Sequence, residues 1–426
     1  MTVVLIIVFF LLLLTSLPIV FVMGITSVIM LLLFTNTPLV MIPEVMFNAL
    51  FNYALVAIPF FIIAATFMTQ GGLTRHLVNA AKAILGQFSG GMAIVCIICS
   101  MIFAAICGSS TASAIAMAVV IVPSMIALGY SRSFSTGIVA ASGSMGLMIP
   151  PSIAFILYGI VTDVSIPRLF LAGVLPGCLE GFLYMIWIIY YSKKMGYHGE
   201  PRKSLREIVS LLVKALPAFS LPIIVLGGIY SGIVTVTEAA ALAAVVSVFI
   251  SMFIYREIRL RQVLPLFAES MKLAGMIMFI ISTALVFGAY ITQAGIPAKL
   301  VTLMVEYNLP WWAFLIIINL VLLLFGMFME GSSILLISLP IIFPVLEPLG
   351  IDPVHFAVVM VVNGEIGVIT PPVGMNLFAL SSATKAPVSE VMRGAFPFVI
   401  LGLIELAIIT YWPTFSLFLP NLVMGP

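Results

Sequence analysis

The residues best placed to do chemistry in this chain are glycines and prolines rather than acids or nucleophiles. Gly143, Gly146, Pro150 and Pro151 stand in GSMGLMIPPS, and Gly364, Gly367, Pro371 and Pro372 stand at the same spacings in GEIGVITPPV. Proline removes a backbone donor and frees the carbonyl four residues back, while glycine tolerates non-helical dihedrals. At membrane depth such backbone persists only where it lines a protein cavity or binds something. Freed carbonyls hold cations, and freed amides at a half-helix N-terminus hold anions. Each stretch is preceded by Gly-Ser-Ser, in CGSSTAS at 107–113 and in EGSSILL at 330–336. The pattern predicts two sites, each pairing a turn with a helix break and each suited to an ion beside an acidic solute.

Side chains extend this set. Glu365 lies in the second break and Glu330 beside the second Gly-Ser-Ser, and an ionisable group in an apolar run is a functional candidate because burying it alone is costly. Each either balances the charge of a bound cation or accepts hydrogen bonds from free amides; both readings stay open. Ser109, Ser110, Ser332, Ser333, Asn363 and Asn376 are neutral groups suited to a carboxylate or hydroxylated solute. Glu180, Glu238 and Glu405 read as ion-pair or partner-contact residues, and Arg132 and Lys385 as anchors at the ends of the broken helices. Cys96 and Cys99 form a CxxC in a run that offers no further ligand, so they read as packing. His76, His198 and His355 have no partner at ligand spacing, and no Walker-type phosphate loop is present. Neither catalysis, an organic cofactor, a His/Cys metal site nor direct use of ATP is expected.

The elements that position these residues are membrane helices. Of 426 residues 63% are hydrophobic and 8% charged, against roughly a quarter charged in a soluble domain. The first apolar run, residues 1–24, has no basic n-region and no small-residue cleavage site, so it reads as a retained span. Two loops are basic, 192–214 and 256–261, and two spans separate them. They therefore share a side, which the positive-inside rule makes cytoplasmic. Crossings are expected at 3–22, 25–42, 52–70, 134–165, 168–192, 215–232, 235–255, 270–292, 354–382 and 395–418. The segments 91–128 and 311–349 remain. If each enters and leaves by one face, fifteen of the 17 Lys and Arg collect on the cytoplasmic side, with Arg168 and Lys299 outside. The first hairpin then opens to the cytoplasm, the second to the outside, and both termini lie outside.

A shift of 221 residues lays Gly143 on Gly364 and Pro176 on Pro397. The halves are copies of one unit, and the charges orient them oppositely. The expected fold is an all-α polytopic membrane protein with inverted repeats, two re-entrant hairpins and two discontinuous helices, the architecture of secondary transporters. Its expected divisions are scaffold helices over 1–90, a first transport repeat over 91–167 and scaffold or arm helices with a cytoplasmic loop over 168–292. A second transport repeat over 293–390 and a C-terminal helix over 391–426 complete it.

The stretches VAIPFFIIAATFMTQGGLTRHLV, FAAICGSSTASAIAMAVVIVPSMIALGY and NGEIGVITPPVGMNLF resemble the large membrane subunit of the tripartite ATP-independent periplasmic (TRAP) transporters, and the similarity runs over essentially the whole chain. The resemblance implies a sodium-coupled, elevator-type importer of an organic acid in the bacterial inner membrane. It also implies two protein partners, a periplasmic substrate-binding protein and a small four-helix membrane subunit. The latter is expected as a separate chain, since this one begins directly with the large subunit. Nucleic acid is not an expected partner. Sodium sites in similar proteins sit between a hairpin tip and the adjoining break and are built largely of backbone oxygens. At matching positions the first involves Ala104, Cys107, Gly146, Ile149 and Pro151, and the second Gly326, Gly367, Thr370 and Val373. Similar proteins often carry serine at Ala104 and Cys107; a carbonyl ligand survives that difference and a hydroxyl ligand does not. The alternative within transporters is a stand-alone sodium-coupled carboxylate carrier. An intramembrane serine hydrolase would need a base, and no histidine lies in the repeat cores.

Overall fold

The structure is a computed structural model that describes residues 1–15 and 17–425, with the side chains of 105–107 and 305 outside the described set. The first half folds as α1 (Thr2–Leu14), α2 (Ile19–Phe34), α3 (Met41–Leu50), α4 (Ala57–Gln70), α5 (Leu73–Leu85), α6 (Gly91–Cys107), α7 (Ser110–Ala127), α8 (Arg132–Ser144), α9 (Ile153–Thr162) and α10 (Ile166–Met195). The second folds as α11 (Leu205–Tyr230), α12 (Val236–Phe249), α13 (Leu260–Gln293), α14 (Ile296–Glu306), α15 (Trp311–Gly326), α16 (Gly331–Leu346), α17 (Pro353–Gly367), α18 (Met375–Thr384), α19 (Val388–Tyr411) and α20 (Pro413–Met424). Among the described residues eight helical segments are long and apolar enough to cross a membrane, and the chain is a multi-pass membrane protein.

Helix ends follow from local chemistry and displace several expected crossings. The Thr15 hydroxyl turns back on the Leu12 carbonyl at 2.5 Å, and Pro18 opens α2 from extended backbone. Thr35 closes α2 in the same way on Leu31, at 2.7 Å. The crossings expected over 3–22 and 25–42 are therefore cut at Leu14 and Phe34, and α1, with 13 residues, is only about 20 Å long. The crossing expected over 395–418 stops at Tyr411, because Pro413 forces Trp412 out of helical geometry. The apolar-run criterion also passes over α3, α5, α14 and α20. In α5 the buried Leu73, Leu77 and Val78 alternate with Arg75, which pairs with Glu257, and Lys82, which reaches Glu200 at 2.7 Å. Such a helix never accumulates an apolar run.

The internal repeat is carried by the helices themselves. Shifted by 221 residues, α6 to α10 fall on α15 to α19, and Pro123 within α7 falls on Pro344 within α16. Gly129 and Gly350, at the same offset, both take positive φ, 84° and 66°. The bonds Pro150–Pro151 and Pro371–Pro372 are both cis.

Contacts set the direction of each half. Where α8 begins, Arg132 Nη2 donates to the Thr384 carbonyl at 3.0 Å and Ser133 Oγ to the Glu390 carbonyl at 2.7 Å. Where α9 ends, the Tyr158 hydroxyl donates to the Pro353 carbonyl at 2.7 Å. Thus α8 and α9 run one way, and α17 and α18 run back. The base of the α6–α7 pair lies with Arg132, held by Ser131 N on Tyr197 Oη at 3.1 Å and Ser89 Oγ on Tyr197 O at 2.8 Å. The base of the α15–α16 pair lies at the opposite end, where the Trp311 and Tyr411 rings are 6.4 Å apart. Arg132 and Lys385 therefore mark a basic end, and Arg168, bonded to Asn421 at 2.7 Å, marks the other. In a variant lacking the native cysteines, Lys385→Cys and Arg168→Cys are expected to label from opposite faces of the membrane with an impermeant thiol reagent. Labelling of both from one face would contradict these directions.

The halves meet most closely where α8 crosses α19. A Cβ added to Gly394 would lie 1.8 Å from the Ser133 carbonyl, and one on Gly137 would lie 2.0 Å from the Gly394 carbonyl carbon. Small residues are what let two membrane helices approach to backbone contact.

Candidate functional site

The first break forms because α8 unwinds into tight turns after Ser144. Gly146 N donates to Gly143 O at 3.2 Å, Leu147 N to Ser144 O at 2.9 Å and Met148 N to Met145 O at 3.2 Å. The chain recovers at Ser152, whose hydroxyl caps the Phe155 amide and also meets the Leu147 carbonyl. The α6–α7 pair turns at Gly108, with φ 61°, and the turn sits on this break. A Cβ on Gly108 would lie 3.2 Å from the Pro151 carbonyl, and one on Gly146 would lie 3.0 Å from the Ser109 carbonyl. Gly146 and Pro151 are thus brought to the turn. The Ala104 carbonyl accepts from Gly108 N at 3.3 Å. Ile149 packs under Gly177 of α10, and the Cys107 side chain lies outside the described residues.

The second break is tighter. Gly326 and Gly367 touch backbone to backbone: a Cβ on Gly367 would lie 2.4 Å from Gly326 Cα, and one on Gly326 would lie 2.7 Å from Gly367 Cα. Thr370 N donates to Gly367 O at 3.0 Å, and its hydroxyl to Ile366 O at 2.5 Å. Gly374 N, one residue past Val373, donates to Met327 O at 3.0 Å. This ties the break to the turn of the α15–α16 pair.

Asn376 and Leu147 join the two constellations. The Asn376 side-chain amide donates to Ser110 Oγ at 2.7 Å and to the Ala140 carbonyl at 3.1 Å, and Thr111 Oγ1 lies 3.4 Å from its carbonyl oxygen. From the first break, Leu147 Cδ1 reaches within 3.1 Å of a Cβ built on Gly331 in the second turn. No side chain caps the N-termini of α7, α16 or α18. The leading amides of α7 and α16, which have no partner within the helix, lie with Ser109, Ser110, Ser332 and Ser333 at the two turns, whereas at the start of α18 Asn376 N donates to Val368 O at 3.0 Å. Such a surface accepts an anion next to backbone carbonyls that accept a cation.

Asn363 is placed differently. Its amide donates to Asn319 Oδ1 at 2.9 Å and Val359 O at 2.8 Å, and Asn319 donates to Thr410 Oγ1 at 3.0 Å. This chain ties α17 to α15 and α19. Sequence reasoning missed Thr111, which follows the serine pair at the start of α7, and Asn319, a lone amide in the apolar run of α15. The signal was present in both.

Glu365 is buried, and neither of its carboxyl oxygens has a hydrogen-bond partner; Glu180 on α10 and Glu405 on α19, also buried, leave one oxygen each unpartnered. No ion pair among the described residues reaches these three. The two helices press on the breaks through glycines. A Cβ on Gly173 would lie 2.4 Å from the Met148 carbonyl, and one on Gly402 would lie 2.8 Å from Ile366 Cγ1.

This arrangement is that of a membrane transporter fold. The structure superposes on that of the Neisseria gonorrhoeae antimetabolite efflux pump MtrF with a TM-score of 0.61, at 17% identity, over 90% of this chain and 84% of that one. The profile of the tripartite ATP-independent periplasmic transporter, DctM component, matches residues 6–415. The chain belongs to that family, as a large permease subunit. It is 43% identical over 399 residues to the C4-dicarboxylate TRAP transporter large permease protein DctM of Pseudomonas aeruginosa, covering 94% of this chain and 93% of the other. It is 32% identical to the sialic acid TRAP transporter large permease protein SiaM of Vibrio cholerae, over 97% of each chain.

Proposed function

We propose that this subunit imports a small organic acid, a four-carbon dicarboxylate, by sodium-coupled alternating access. A periplasmic binding protein delivers the acid, and a small membrane subunit completes the transporter. The carrying observation is the seating of two glycine turns on two proline breaks that run in opposite directions. Hydrogen-bonding groups left free at membrane depth call for an ion and a polar solute. The α6–α7 and α15–α16 pairs act as re-entrant hairpins, entering from the basic end and from the opposite end. Sodium binds carbonyl oxygens around Gly146 and Pro151 in one half and around Gly326, Gly367 and Thr370 in the other. The uncapped amides of α7 and α16 receive the carboxylates between them. Because Asn376 and Leu147 tie the two constellations together, they move as one body against a scaffold that includes α2, α4, α12 and α13. The dicarboxylate assignment follows the name of the 43% identical relative.

Proteoliposomes holding this chain and the small subunit, with the binding protein outside, are expected to take up labelled succinate only with an inward sodium gradient. Uptake at the same rate without sodium, or by this chain alone, would overturn the reading. In the same assay Asn376→Ala is expected to raise KM about tenfold, because the Ser110 hydroxyl and the Ala140 carbonyl lose the amide that fixes the start of α7.

A further inference from the structure

Helices α7 and α18 lie side by side from the turns to the basic end. At the inner end Asn376 holds Ser110 at 2.7 Å. At the outer end the helices part around a cavity of about 590 Å³ lined by Ala118, Val119, Val122, Ala127, Ala383 and Thr384 among others. Between the two ends α7 exposes Ala112 and Ile115, and α18 exposes Met375 and Phe378. The cavity is apolar-walled, and at the far end of the helix pair the fully buried Ser110 and Asn376 close α7 against α18.

Its mouth is charged. Arg132 lies across it, with one Nη2 on the Thr384 carbonyl at 3.0 Å and its other N–H groups free to donate. Lys385 follows directly, exposed, with φ 54°, a conformation uncommon for lysine. Arg393 is exposed on the first turns of α19, and the acid nearby is Glu390, whose carbonyl holds Ser133 at 2.7 Å. The opposite end carries the opposite charge. A cavity of about 470 Å³ there, between the end of α16 and the start of α17, is lined by Glu347 and Asp352. After α9, Asp163 takes the place that Lys385 takes after α18, with φ 58°. The same backbone conformation carries an acid at one end and a base at the other, so the fold does not dictate the charge. The preference of cytoplasmic ends for Lys and Arg accounts for their presence, not for their convergence on a cavity.

We propose that this mouth is a second anion-binding station. Arg132 and Lys385 hold the carboxylate of an organic acid at the basic end of the cleft, and the apolar walls of the cavity take its carbon chain. The identity of the anion rests on the function proposed above; the preference for negative charge does not.

The test is Ala383→Cys in the full-length protein without its native cysteines, in nanodiscs. The probes are two methanethiosulfonates of similar size, one carrying a sulfonate and one a quaternary ammonium. The sulfonate reagent is expected to react about tenfold faster relative to its cationic counterpart than it does with a small free thiol. That bias is expected to fall several-fold with Lys385→Gln, which leaves the Arg132 contact intact, and to vanish when Arg132→Gln is added. Equal relative rates, or a bias that survives both substitutions, would overturn the station. Slowing of the sulfonate reagent by succinate would support the station and its cargo together. Charge-dependent bias without succinate protection would support the station and count against the dicarboxylate assignment.

Discussion

Gly367→Ala is expected to eliminate sodium-dependent transport, lowering the initial uptake rate at least about a hundredfold, while the purified protein remains monodisperse and folded. The added methyl would lie 2.4 Å from Gly326 Cα and 3.0 Å from the Gly326 carbonyl oxygen. Both are backbone atoms that no rotamer change can move. The turn must lift off the break, and the carbonyls that would share a cation separate by about an ångström. The same change at Gly146 meets the Ser109 carbonyl and the Ser113 hydroxyl at 3.0 Å, which a few tenths of an ångström of movement relieves. Its effect is expected to be smaller and to show chiefly as weaker sodium dependence. Sodium titration of uptake for both variants measures this order. Wild-type uptake by Gly367→Ala would remove the second constellation from the mechanism.

Gly394→Ala acts on folding instead. Its methyl would lie 1.8 Å from the Ser133 carbonyl, inside the crossing on which α8 and α19 pack. Overpacking of this kind costs about 3 kcal/mol, and the expected result is a lower thermal midpoint and poor yield, with near-normal transport per folded molecule. Gly137→Ala should behave alike, since its methyl would meet the Gly394 carbonyl carbon at 2.0 Å. Fluorescence-detected size-exclusion after heating separates the outcomes. A stable but inactive Gly394→Ala would mean that the crossing serves transport rather than assembly.

What the sequence disclosed depended on how local the physics was. The breaks at Gly143–Pro151 and Gly364–Pro372 were legible because proline and glycine act on their own backbone, whatever surrounds them. The grouping of Arg132 with Lys385 was legible from charge, which the membrane sorts by face. The ends of α1 and α2 were not read. They are set by threonine hydroxyls bonding back to Leu12 and Leu31, a signal that hydropathy averages away. The amphipathic α5 was missed for the same reason. Asn376 was named from its type and its position between the expected sites, and its partners Ser110 and Ala140 lie 266 and 236 residues away, a juxtaposition that only the fold supplies. Asn363 was grouped with it by composition, but its amide ties α17 to α15.

The exchange that lays one half of the chain on the other carries Asn376 onto Phe155, which has no amide to give. The bonds from Asn376 to Ser110 and Ala140 therefore have no mirror. Worth about 1 kcal/mol each, they clasp the two copies together through a side chain that only the later copy carries. The duplicated backbone is symmetric, and the fastener between its halves is not.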